Sequence, residues 1–130
     1  MKSTMILEVE EGASLEEMVS VLLVMGEKYK VEDERLIGNF EKSNSYFVFR
    51  RLVSAEQIVA EGVDFDWAVG VRGAFHCPVS KLAEASMDLE SFVAILSKMT
   101  NFRFVLSFQY EVIYVTRDEN GLNILRRMVN

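Results

Sequence analysis

The stretch Phe102-Arg103-Phe104-Val105-Leu106-Ser107-Phe108-Gln109-Tyr110-Glu111-Val112-Ile113-Tyr114-Val115 carries the longest period-two pattern in the chain. Phe102, Phe104, Leu106, Phe108, Tyr110, Val112 and Tyr114 fall on one side, and Arg103, Val105, Ser107, Gln109, Glu111, Ile113 and Val115 on the other. Successive side chains of a strand point to opposite faces, so this is β structure with one apolar face. No Gly, Pro or Asn interrupts it. The pattern fits one unusually long strand or a hairpin with a very tight turn, and the long strand is the preferred expectation.

Working outward, residues 65–77 alternate in the same way. Phe65, Trp67, Val69, Val71, Phe75 and Cys77 oppose Asp66, Ala68, Gly70, Arg72, Ala74 and His76. This predicts a half-buried strand with Trp67 on its apolar face, ended by Pro78 and bent or bulged near Gly70 and Gly73. Residues 35–53 read as a hairpin, with a turn at Lys42-Ser43-Asn44-Ser45 between runs of strand formers. Residues 4–9 give a first strand, and residues 122–129 a last strand or a C-terminal helix after the turn signal Asp118-Glu119-Asn120-Gly121.

Three segments carry helical signals. Ser14-Leu15-Glu16-Glu17 has capping-box spacing and opens a helix with Leu15, Met18, Val19, Leu22 and Met25 on one stripe, ending near Gly26. Val21, Leu23 and Val24 widen that stripe, so this helix is buried on two sides or meets a second subunit. Ser54-Ala55-Glu56-Gln57 is a second capping box, predicting a short helix that stops at Gly62. From Leu82 to Met99 the period is helical, as one long helix or as two broken near Ser86-Met87-Asp88 with Asp88 capping the second. The expected fold is α+β: one domain over residues 1–130, a mainly antiparallel sheet of about five or six strands, and two or three helices packed on one face.

Composition bounds the function. The 130 residues hold 14 Lys and Arg against 20 Asp and Glu, a formal net charge of −6, with one His and one Cys. Phosphate binding draws on Lys and Arg, so a nucleic-acid partner is not expected. One Cys forms no intramolecular disulfide, and Cys with His supplies too few ligands for a zinc site. The longest apolar run is far short of a membrane span, and residues 1–8 lack a signal-type apolar core. The expectation is a cytoplasmic protein with a reduced thiol, no cofactor, no metal and no membrane partner.

Candidate chemistry is sparse. His76 and Cys77 are the only nucleophile–base pair, and adjacency on a strand turns them apart. Asp64 and Asp66 share the face of a strand start, two residues apart, beside Trp67, the residue type most typical of interface anchors. Glu111 lies on the polar side of the long alternating stretch, with Arg50 or Arg72 as its expected cross-strand partner. No glycine pattern matches a phosphate cradle. Glu8, Glu10, Glu11, Glu16, Glu17, Glu32, Asp33 and Glu34 make the first quarter of the chain acidic.

These features point away from an enzyme and toward a binding module that occludes a basic, nuclease-like active site, as inhibitor and immunity proteins do by offering carboxylates and aromatics. Asp64, Asp66, Trp67 and Glu111 are its candidate partner-binding residues. Two alternatives stand beside it: an acidic dimer of the secretion-chaperone kind, joined through the first helix, and a non-catalytic small-ligand or regulatory domain with a pocket between helices and sheet lined by Phe47, Phe49, Phe104 and Phe108.

Overall fold

The computed structural model describes residues 1–62 and 64–129. The chain runs β1 (Lys2–Glu10), α1 (Leu15–Met25), β2 (Lys30–Glu32), β3 (Arg35–Asn39), β4 (Tyr46–Glu56), β5 (Val69–Pro78), α2 (Leu82–Met99), β6 (Phe104–Phe108), β7 (Val112–Asp118) and β8 (Gly121–Ile124). The strands form one antiparallel sheet in the order β2-β3-β4-β5-β1-β6-β7-β8. The class is the expected α+β, with a larger sheet than the sequence suggested: among the described residues, eight strands and two α-helices. No helix among the described residues is long and apolar enough to cross a membrane.

Alternation decides which face the helices cover. Met5, Leu7 and Val9 of β1, Phe47 and Phe49 of β4, Val71, Phe75 and Cys77 of β5, and Phe104 and Leu106 of β6 form one cluster with Met18 and Leu22 of α1 and Leu89, Phe92 and Leu96 of α2. Each large side chain removed from water here contributes about 1.5–3 kcal/mol. Phe49 stacks on Phe92 at 5.3 Å and meets Phe75 edge-on at 5.4 Å. Its ring lies across Gly73, where an added Cβ would come within 2.3 Å of it. Gly73 therefore makes room for a ring and does not bend the strand. Phe47, Phe49 and Phe104 are fully buried in this core, so they are packing residues and not the lining of the pocket expected between helices and sheet.

Local signals hold where the partners are close in sequence. The Ser14 backbone N–H and hydroxyl both donate to the Glu17 carboxylate, at 2.8 and 2.7 Å, and Gly26 closes α1 at φ 75°. One flank of α1 faces the core while Leu23 and Val24 remain about 60% exposed (61% and 62%). α2 is one unbroken helix. Asp88 lies inside it, buried, with Oδ2 lacking a hydrogen-bond partner, and caps nothing.

Three expectations are corrected. The 102–115 stretch is a hairpin: Gln109 and Tyr110 take φ of 49° and 67°, and the Glu111 N–H closes the turn on the Phe108 carbonyl at 2.8 Å. Two positive φ values match the strand twist, as in a type I′ turn, but without the usual Asn or Gly. Residues 54–62 form no helix: β4 continues to Glu56, and residues 57–62 cross the sheet face opposite the helices as an irregular strap. β5 begins at Val69, which leaves Phe65 and Trp67 outside the sheet.

Candidate functional site

The helix-free face carries the chemistry. Register places Glu32, Arg35, Arg50, Arg72 and Glu8 in one row across β2, β3, β4, β5 and β1. The next row along the strands reads Ile37, Val48, Ala74, Ile6 and Ser107. Beyond it lie Asn39, Tyr46, His76 and Thr4. Thr4 Oγ1 is 3.1 Å from His76 Nδ1, and Tyr46 stacks on the imidazole. Cys77 turns the other way into the core, where burial raises its thiol pKa above the ordinary value. The two rare residues are thus separated by the sheet, as their adjacency on a strand predicts.

Two arginine–carboxylate centres stand on this face, both anchored in β1. At the first, Glu8 is wholly buried. Its carboxylate accepts from the Val59 and Ala60 amides at 2.9 and 3.0 Å, and from Arg72 Nε and Nη2 at 3.2 and 2.9 Å. Arg72 also reaches Glu56 at 2.8 Å. Burial pulls the Arg72 pKa down, but hydrogen bonds to Glu56 and Glu8 outweigh it and the net shift is upward. This centre explains the missing helix at 54–62. Two amides that a helix would use internally are taken by a carboxylate far back in the chain, and Glu56 is held by Arg72. The far end of the strap is fixed by the Glu61 N–H on the Tyr110 carbonyl at 2.7 Å.

At the second centre, Arg103 gathers three carboxylates: Glu10 at 2.7 Å, Glu119 at 2.9 Å and Asp66 at 3.1 Å. The Arg103 backbone N–H also donates to Glu10, at 2.8 Å. The side-chain hydrogen bond from Arg103 lowers the Glu10 pKa against the opposing effect of burial, and Arg103 itself is shifted up, chiefly by Glu10. Asp66 and Glu119 are open to solvent, at 89% and 72% exposure. Three carboxylates on one guanidinium leave the cluster negative. Beside it the Phe65 and Trp67 rings pack on each other at 5.5 Å, both half-buried, and the Glu11 N–H ties this loop to β1 through the Ala68 carbonyl at 2.8 Å.

The structure therefore brings together Asp64, Asp66 and Trp67, all on the loop before β5, with Asp64 and Asp66 exposed. Trp67 is half-buried outside the sheet and not on a strand's apolar face. Glu111 stands apart from them, exposed beside the β6–β7 turn, and pairs with neither Arg50 nor Arg72; the cross-strand partner of Arg72 is Glu8. Sequence reasoning missed Arg103 as a hub and Glu10 and Glu119 as its ligands. Their positions at the ends of three different strands become neighbours only through the β1–β6–β7 pairing. Among the described residues no three His, Cys, Asp or Glu side chains converge as a metal site. Comparison with protein-family models, curated proteins and solved structures gives no match to this chain.

Proposed function

We propose that this chain is a protein-binding domain that docks on a basic surface of another protein, in the manner of an inhibitor or immunity protein that occludes a nuclease-like active site. The observation that carries the reading is the overloaded Arg103 centre: two of its three carboxylates are exposed, next to a half-buried aromatic pair. Surplus carboxylates steer a basic partner and reject acidic ones, while a Trp at the centre of a contact supplies burial. Arg103 fixes Asp66 and Glu119 before binding, which lowers the ordering cost of association. In this reading Asp64, Asp66, Glu119 and Trp67 contact the partner, and Glu111 lies outside the contact. The buried, unpaired thiol of Cys77 suits a cytoplasmic setting.

The test begins with a pull-down from the native source at low salt, using wild type and an Asp66→Lys, Glu119→Lys variant. A basic protein retained by wild type alone, and released by salt, supports the reading. Retention of nothing basic, or equal retention by both baits, refutes it. A second reading, a homodimer joined through α1, is favoured by the exposed Leu23 and Val24; sedimentation of Leu23→Ser, Val24→Ser against wild type decides it.

A further inference from the structure

We propose that the helix-free face holds a second site, a groove for a small amphiphilic anion: a carboxylate or phosphate monoester on an apolar body. The groove, about 280 Å³, is floored by Ile6, Val48 and Ala74 and bounded by Arg50, Leu52, Arg72, Tyr110 and Glu56, whose carboxylate is held by Arg72. That is just under the usual range for ligand sites, about 300–1,000 Å³, which suits a small ligand, and an apolar floor with a few converging polar groups is their usual make-up.

The charge pattern selects the ligand. Arg35 and Arg50 are direct cross-strand partners on this face. Like charges directly opposite destabilise a sheet. The chain has 20 Asp and Glu, yet neither arginine has a carboxylate oxygen within 4.0 Å among the described residues. Glu32 is the direct cross-strand partner of Arg35 on β2, with its carboxylate bonded to Lys30 at 2.8 Å. Arg72, the third arginine of the row, is neutralised by Glu8 and Glu56. Arg50, which lines the groove, has an arginine directly opposite on each side, so an anionic head on it relieves that repulsion, and guanidinium forks suit carboxylate and phosphate oxygens.

The floor continues the same logic. The apolar row runs from Ile37 through Val48, Ala74 and Ile6 to Ser107, under the strap. Ser107 is fully buried and its hydroxyl has no hydrogen-bond partner. An apolar body lying on Val48 and Ala74, with its head on the arginines, points its far end toward this covered end of the row. The site rests on other residues than the acidic cluster around Arg103, so the two readings stand or fall separately.

The experiment is a titration of the full chain with octanoate, octyl phosphate and 1-octanol, followed by amide and methyl chemical shifts. Octanoate or octyl phosphate is expected to shift Ile6, Val48, Ala74 and Arg50 saturably, and 1-octanol to bind at least about tenfold more weakly, as expected when a charge-assisted hydrogen bond is lost. Preference for octyl phosphate over octanoate, or the reverse, identifies the head group. Arg35→Gln, Arg50→Gln is expected to stay folded, since Arg50 is exposed and Arg35 only half-buried, and to weaken the anions about tenfold while leaving 1-octanol unchanged. Equal affinity for 1-octanol and octanoate, shifts scattered outside the groove, or no saturation by either anion overturns the proposal. So does an acidic peptide that shifts the same residues where the amphiphiles do not.

Discussion

Glu8 and Glu10 stand two residues apart on the same face of β1, and each meets an arginine across the sheet. Their surroundings differ. Glu8 is sealed beneath the strap with every bond directed inward, to Arg72 and two backbone amides. Glu10 is at the sheet's end, where Arg103 is shared with two exposed acids. Water makes the difference. A sealed ion pair cannot lose one partner without stranding the other in a poor solvent, whereas an open pair is screened and contributes little. The same residue types therefore act as a fold element in one place and as a charged surface in the other.

The sharpest way to break this contrast is Glu8→Ala, which leaves the Val59 and Ala60 amides without a partner and Arg72 with only the exposed Glu56 as counter-charge. A loss of about 3–5 kcal/mol is expected in urea unfolding, with hydrogen-exchange protection of those two amides lost first. Glu8→Leu with Arg72→Met removes both charges at once. It is expected to recover part of that loss and not all, because the two amides stay unpaired. Full recovery would mean that Glu8 does not hold the strap.

Glu10→Gln comes next, at about 1 kcal/mol near neutral pH, since the carboxylate is partly exposed and screened. Its folded pKa lies below the ordinary 4.5. The stabilisation is thus fully present above that value and is lost as pH falls through the folded pKa. Wild type and variant are expected to converge in stability as pH falls below 4.5 and through the folded pKa; a difference that persists at still lower pH would assign the effect to packing. Smallest is Asp66→Asn with Glu119→Gln, expected to change stability by less than about 0.5 kcal/mol, as surface pairs do. A larger loss would make the acidic cluster structural.

The contrast also marks how far the residues could be read in advance. The α1 capping box, the 35–53 hairpin and the divergence of His76 from Cys77 follow from neighbours in sequence, and they stand. The 102–115 turn was hidden because Gln109 and Tyr110 adopt positive φ without the Asn or Gly that signals it. The strap was hidden because Glu8, some fifty residues away in sequence, outcompetes the local capping signal at Ser54. Trp67 continues the alternation of β5 in sequence but lies outside it in space, since the pairing stops at Val69. At the site, the grouping of Asp64, Asp66 and Trp67 was legible; Arg103 as the group that organises them needs the three-strand pairing and was not.

The central claim, that the Arg103 centre is a partner-binding surface and not a fold element, is tested most directly by one titration. The basic partner recovered from the native source is titrated by calorimetry onto wild type and onto Asp66→Lys, Glu119→Lys. A loss of affinity of about a hundredfold, in the range measured for charge pairs across an interface, with the variant's unfolding midpoint nearly unchanged, is the predicted result. Unchanged affinity, or a loss matched by an equal loss of stability, would contradict it.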